Sequence, residues 1–337
     1  MPHTDTQTVV ITGATAGVGR ATALAFARRG WNVALLARGP QGLESTAKEV
    51  EQAGGTPLAI AIDVAVSDAV FAAAEQVIER WGGFDVWVND AMATIFAPIA
   101  AIAPDEFRRI TEVTYLGCVY GTMAALRHMR PRDRGTIVQV GSALSYRAIP
   151  LQSAYCGAKF AIRGFTDALR TELRHDASAI RVTMVQLPAV NTPQFDWARN
   201  KMGRRPQPMP PIHQPEAIGE IIFRAGQDAP RELWLGFPSL KAILGTMLMP
   251  GLLDRLLARK GYEGQITSEI EDPPSPDNLF LPVPGGHATH GRFDARAQVS
   301  TPAFNAALVC TVLATSVIAV VAALASATTF VLTDRSR

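Results

Sequence analysis

Tyr155 and Lys159 stand four residues apart in the run Tyr155-Cys156-Gly157-Ala158-Lys159, and on a helix that spacing puts both side chains on one face. A phenol titrates near pH ~10 and is a poor base at neutral pH. An ammonium fixed beside it stabilises the phenolate and lowers that value. Such a pair can exchange a proton with an alcohol or ketone oxygen. Thirteen residues upstream, Ser142 closes an apolar run, where a hydroxyl either caps the element or joins the other two at a reacting oxygen.

A second group of residues suits a phosphate. Directly after the first apolar run comes Thr12-Gly13-Ala14-Thr15-Ala16-Gly17-Val18-Gly19, followed by a helical pattern. Glycines permit a tight turn and a close backbone approach to a pyrophosphate, whose charge is favoured by the N–H groups and dipole of the helix N-terminus. Alone, such a turn is also an ordinary strand-to-helix connection.

With its TGxxxGxG spacing, its YxxxK pair and a serine ahead of them, the chain resembles the short-chain dehydrogenase/reductase family from about residue 8 to residue 236. The resemblance implies that Gly13, Thr15, Gly17, Val18 and Gly19 contact a dinucleotide. It makes Tyr155 the catalytic acid/base, with Ser142 on the substrate oxygen and Lys159 also on the nicotinamide ribose. Asp63 and Val64 match the pair that contacts adenine. Asn89 keeps the structural asparagine of the family's NNAG, written here Asn89-Asp90-Ala91-Met92 without its closing glycine. Pro188, Val190 and Thr192, in Leu187-Pro188-Ala189-Val190-Asn191-Thr192, match the turn that holds the nicotinamide, with Ala189 for the usual glycine. The fourth catalytic position, an asparagine in the family, is Thr114, whose hydroxyl either holds the corresponding water or does not. After the second apolar run Ala37 stands where NAD-preferring members carry an acid, and Arg38 follows. A guanidinium can bind a 2′-phosphate, so NADP(H) is the expected cofactor. Packing of the helices near 107–129 and 153–174 into a homodimer or homotetramer is implied by resemblance only.

The elements that must position these residues follow from periodicity. Apolar β-branched runs at 8–11, 33–36, 58–62, 86–88, 137–140 and 182–186 alternate with helical patterns such as 18–29, 43–52 and 71–80. That rhythm predicts an α/β fold, a Rossmann-type doubly wound parallel sheet of about seven strands. The proline- and arginine-rich stretch after Pro193 reads as a long functional loop. A helix over 216–226 and a strand over 232–235 finish a catalytic and NADP(H)-binding domain at 1–240.

An apolar extension covers 241–262, within a run broken by Pro250 and Gly251; it is either a packed helix pair or dimer contact, or a lid or membrane-touching surface over the cleft. Residues 263–302, rich in Pro and Gly, read as a linker or a strap lying on the body. No charge occurs between Ala297 and Thr333, so 303–333 is expected to be a single transmembrane helix. It would anchor a catalytic domain on the cytoplasmic side; a helix buried on the body of a cytoplasmic protein is the alternative. An anchor suggests a lipophilic alcohol or carbonyl substrate.

Other classes are disfavoured. Thirty-two basic against 30 acidic residues, a net charge of +2, do not suit a nucleic-acid partner. Three cysteines without a CxxC pair, and His287 and His290 in a Gly-rich stretch, suggest no metal. A membrane-associated protein that binds NADP(H) as a sensor without catalysing is the competing reading, and a purely structural membrane partner is a third.

Overall fold

The computed structural model describes residues 6–271 and 276–316. Seven parallel strands form the body: β1 (Thr8–Thr12), β2 (Asn32–Ala37), β3 (Thr56–Ala61), β4 (Val86–Asn89), β5 (Thr136–Ser142), β6 (Arg181–Leu187) and β7 (Glu232–Leu235). An eighth, β8 (Ala303–Asn305), pairs antiparallel with β7. The spatial order is β8-β7-β6-β5-β4-β1-β2-β3. From β1 the chain winds outward to β3, then crosses back to β4 on the other side of β1. This reversal opens a crevice beyond the carboxyl ends of β1 and β4.

The apolar runs form strands because both faces of the sheet are covered. Val9, Ile11, Val33 and Leu35 point to one face, while Val10, Ala34 and Leu36 point to the other, as the two-residue period of a strand requires. Helices α1 (Gly17–Ala27), α2 (Pro40–Gln52) and, later in the chain, α7 (Pro215–Asp228) cover the first face. There Phe26 meets Phe223 edge-on at 4.9 Å. Helices α3 (Ser67–Trp81), α4 (Pro104–Thr111), α5 (Gly117–Met129) and α6 (Ser153–His175) cover the second. Pro250 divides the next apolar stretch into α8 (Gly236–Leu248) and α9 (Pro250–Glu263), as a residue without an N–H does when it opens a helix.

The C-terminal third departs from expectation at one point. The described residues of 263–302 lie along the body: Ile266–Ile270 pairs with Arg204–Pro206, and Ala297–Gln298 pairs with Ile212–His213. The expected transmembrane helix does not begin at 303, because Ala303–Asn305 is taken into the sheet by β7. Residues 306–316 are helical and largely exposed. Among the described residues no helix is long and apolar enough to cross a membrane, and the remainder of that expected span, 317–333, lies outside them.

Candidate active site

The glycine turn leaves β1 at the crevice. Gly13 has φ +73°, and a Cβ there would lie 2.8 Å from the Ala91 Cα; Gly17 has φ +52° and faces the Thr192 side chain. Both positions therefore exclude side chains. A Cβ on Gly19 would fall 2.3 Å from the Gly13 carbonyl oxygen, so the third glycine closes the turn on itself. Helix α1 starts with no side-chain cap and no acid in its first turn. A helix N-terminus without an acid favours an anion, although here the Gly17 N–H donates to the Ala288 carbonyl at 3.0 Å. Thr15, Gly17 and Val18 line a cavity of about 530 Å³ that runs from Arg38 past this turn to Tyr155.

Ser142 ends β5 and Tyr155 lies in the first turn of α6, and both reach the same cavity wall. The Ser142 hydroxyl accepts from the Leu144 N–H at 3.1 Å, and its nearness to the Tyr155 phenol acts to lower the phenol's pKa. Burial, the thiol of Cys156 and the carboxyl of Asp90 push that phenol above its usual range, against the opposing effect of Ser142. The ammonium of Lys159, 5.5 Å from the tyrosine ring centroid, donates to the Val140 carbonyl at 2.7 Å. Burial lowers its pKa, while Asp90 and Cys118 act to raise it. Burial dominates at both groups, holding the phenol in its protonated form and disfavouring the charged form of the amine.

Asp90 was not singled out from sequence. It lines the cavity, and its Oδ2 lies 2.9 Å from where a Gly19 Cβ would be. Burial raises its pKa to about 7, opposed by Lys159 and by a bond from the Gly19 backbone.

Two expected site residues lie behind the cleft, not on it. Thr114, in a wide turn over Glu112–Leu116 with π-helical bonding, is fully buried; its hydroxyl accepts from the Ala93 N–H at 3.0 Å and donates to the Ala93 carbonyl at 3.1 Å. It braces a neighbouring segment and touches no cavity. Asn89 accepts from Trp87 Nε1 at 2.9 Å and donates to Thr122 and Gln139 at 3.1 and 2.9 Å. It ties β4 to α5 and β5, and its side chain has no group left to offer a cofactor.

At the end away from Tyr155, Arg38, Asp63 and Val64 line the cavity, and Met92 lines it too. Arg109 of α4, unmarked in the sequence, forms an ion pair with Asp63. Residues 276–293 of the strap make the outer wall. Arg38 donates to the carbonyls of Asn278, Leu279 and Phe280, and Gly17 N donates to the Ala288 carbonyl at 3.0 Å. At the other end Pro188, Val190 and Thr192 line the cavity, and Thr192 Oγ1 is buried without a hydrogen-bond partner. An unsatisfied buried hydroxyl costs stability unless a ligand meets it. Together with the side-chain-free glycine turn, it fits a nicotinamide dinucleotide.

Beyond Tyr155 the cavity turns apolar, lined by Leu144, Ile149, Met209, Ala242, Leu253 and Leu257. The loop after Pro193 and the helices α8 and α9 thus build a lobe over the reacting groups. Polar side chains reach the cavity as well, among them Lys241, Gln265 and Arg147, the last paired with Asp254 at 2.5 Å and with its Nε buried and unpartnered. Among the described residues no group of His, Cys, Asp and Glu could hold a metal.

The chain is similar to known proteins in sequence and in fold. A family model described as short chain dehydrogenase matches residues 7–202. An uncharacterized oxidoreductase of Bacillus subtilis, YxnA, is 30% identical over 276 residues, covering 81% of this chain and 78% of its own. A 3-dehydrosphinganine reductase of Danio rerio is 33% identical over 224 residues, 64% of this chain and 67% of that protein. Among solved structures, an alcohol dehydrogenase of the archaeon Thermococcus sibiricus complexed with 5-hydroxy-NADP superposes with a TM-score of 0.59 at 28% identity. It covers 68% of this chain and 96% of its own.

Proposed function

This chain belongs to the short-chain dehydrogenase family, and from that premise we propose that it is an NADP(H)-dependent oxidoreductase acting on a secondary alcohol or ketone. One observation carries the reading: Ser142, Tyr155 and Lys159 line the same cavity as the glycine turn and the unpartnered hydroxyl of Thr192. When bound, the dinucleotide supplies or accepts a hydride.

The chain's own groups handle the proton and the substrate oxygen. In the reducing direction Tyr155 Oη gives its proton to the carbonyl oxygen as negative charge develops there, and Ser142 Oγ holds that oxygen by a hydrogen bond. The Lys159 ammonium, with Val140 fixing one of its three donors, stabilises the phenolate left behind. Thr114 acts on the site only through the segment it braces. Arg38 supports NADP(H) over NAD(H), because a guanidinium suits a 2′-phosphate and no acid stands in its place.

The apolar lobe supports a lipophilic substrate carrying an acceptor group for Arg147, and a relative named for reducing 3-dehydrosphinganine points the same way. An anchor in the apolar run toward the C-terminus, with the catalytic domain on the cytoplasmic side, is part of the proposal; release by high-salt washing without detergent would overturn that part. Phe107, Met123 and Phe160, exposed on α4, α5 and α6, support a homo-oligomer packed through those helices. The decisive experiment is a screen of alcohols and ketones with NADP⁺ and NADPH, with Tyr155→Phe as the blank. Turnover absent from that variant supports the reading, and equal turnover in both proteins overturns it. NADPH binding with no turnover of any carbonyl would leave the non-catalytic sensor as the better account.

A further inference from the structure

Two guanidiniums converge on one backbone oxygen at the adenosine end of the cleft. Arg38 Nη1 reaches the Leu279 carbonyl at 3.4 Å and the Phe280 carbonyl at 3.0 Å, its Nη2 holds the Asn278 carbonyl, and Arg109 Nε donates to the same Leu279 carbonyl at 3.1 Å. The two arginines share a single carboxylate, Asp63, which is paired with Arg109. Burial and the charge of Arg109 both lower the pKa of Arg38, the sign of a guanidinium short of negative charge. Neutral carbonyl oxygens satisfy its donors but leave the excess positive charge of the pair uncompensated.

We propose that Arg109 is, with Arg38, a specificity-determining residue for the 2′-phosphate of NADP(H), and that the 278–280 carbonyls of the strap are the internal occupant this phosphate displaces. The inference rests on the nicotinamide-cofactor reading and extends it to a residue and a segment that reading does not need. Three oxygens of a phosphate can take the places that three carbonyls now hold, and they bring the charge the carbonyls lack. Three of the five N–H donors of Arg38 are engaged by the strap, so a phosphate that takes the Nη1 edge, which Arg38 turns toward Leu279 and Phe280 beside Arg109, displaces the strap there. A ribose hydroxyl makes no such demand. NADP(H) binding is therefore coupled to release of the strap near Leu279, and NAD(H) binding is not.

The strap's hold here is finite. Leu279 is fully buried in the core cluster with Ile60 and Val64, the Asn278 N–H donates to the Trp197 carbonyl at 2.9 Å, and the Leu279 N–H donates to Asp277 Oδ1 at 3.0 Å. These two amides report whether the strap is seated.

The test uses the full chain with NADPH, NADH, adenosine 2′,5′-bisphosphate and 5′-AMP, reading dissociation constants by calorimetry and amide exchange over 276–293 by mass spectrometry. Arg109→Gln is expected to weaken NADPH and the bisphosphate about tenfold or more, the size of a lost charge-assisted bond, and to leave NADH and 5′-AMP within about twofold. Arg109→Lys recovers part of the loss. In the unaltered chain the two 2′-phosphate ligands speed exchange at Asn278 and Leu279, and the other two do not. Leu279→Ser, which loosens the seat, tightens NADPH binding.

Equal weakening of NADH and NADPH by Arg109→Gln would make Arg109 only a brace for Asp63 and overturn the proposal. So would NADPH binding that leaves the 276–293 amides unchanged or slower, since the strap would then be a fixed roof. If no adenosine ligand binds the unaltered chain at all, the cofactor reading fails first and this inference with it.

Discussion

The hydroxyl of Thr114 clasps one residue from both sides, accepting the Ala93 N–H and donating to the Ala93 carbonyl. A carboxamide has the same pair of functions, one donor and one acceptor, so a threonine can stand where the family has asparagine. Thr114→Asn is expected to keep activity within a few-fold of the unaltered chain or to raise it. Thr114→Val keeps the shape but orphans two buried backbone groups of Ala93, at a cost of about 1–3 kcal/mol, and lowers turnover by loosening the segment that borders the cavity at Met92. Denaturant unfolding and steady-state kinetics on the two variants read these effects. A total loss in Thr114→Asn with unchanged stability would give Thr114 a role in the reaction itself.

The strands around the site could be read almost to their ends because burial on both faces writes them as continuous apolar runs. The glycine turn, Ser142, Tyr155 and Lys159 could be read because their chemistry demands fixed local spacing. What escaped has no local signature. Strand β8 is three residues whose state is set by pairing with β7, about seventy positions away, and its apolar neighbours made a spanning helix the natural expectation from 303 onward. Arg109 meets the Leu279 carbonyl across 170 positions, and nothing in a Pro/Gly-rich stretch foretells which carbonyls it will present. Asp90 was visible only as a departure from a motif; its importance lies in being buried between Lys159 and the Gly19 backbone.

Removal of the Tyr155 hydroxyl separates chemistry from binding. Tyr155→Phe is expected to lower kcat by about 10²–10⁴, the range for loss of a positioned proton donor. The dissociation constant of NADPH should stay within about threefold, because the ring remains in place and the phenol faces the substrate oxygen. A parallel loss of NADPH affinity, by fluorescence titration, would count against a purely catalytic role.

The wall of the substrate lobe depends on a buried carboxylate. Glu232 accepts from the Tyr146 hydroxyl at 2.8 Å, Gln186 Nε2 at 2.9 Å and Trp234 Nε1 at 2.9 Å. It thereby joins β6, β7 and the turn after Ser142. Glu232→Leu leaves three buried donors without an acceptor and is expected to cost at least about 3 kcal/mol in denaturant unfolding. Glu232→Gln retains an acceptor oxygen and is expected to lose less. Equal losses in the two would mean that the volume at this site matters and its oxygens do not.

Asp90 makes cofactor binding depend on pH in a direction its environment fixes. Its carboxyl is raised from 3.8 to about 7 by burial, with Lys159 and the Gly19 backbone opposing, so it is largely neutral below that value and ionised above it. The ionised form adds a negative charge to a cleft built for a diphosphate, and NADPH binding is therefore expected to weaken as pH rises from about 6 to about 8, by at most about tenfold per unit for one proton. The same group acts on stability with a definite sign. Folded, it binds a proton that the unfolded chain has already lost between pH 3.8 and about 7, so its contribution to stability falls as pH rises through that window. Asp90→Asn, which restores the family's uncharged residue, should flatten the dependence of the NADPH dissociation constant between pH 6 and 8 and remove this part of the slope of melting temperature against pH. A variant that keeps the full pH dependence of NADPH binding would shift the titrating group to Lys159 or to the cofactor's own phosphate.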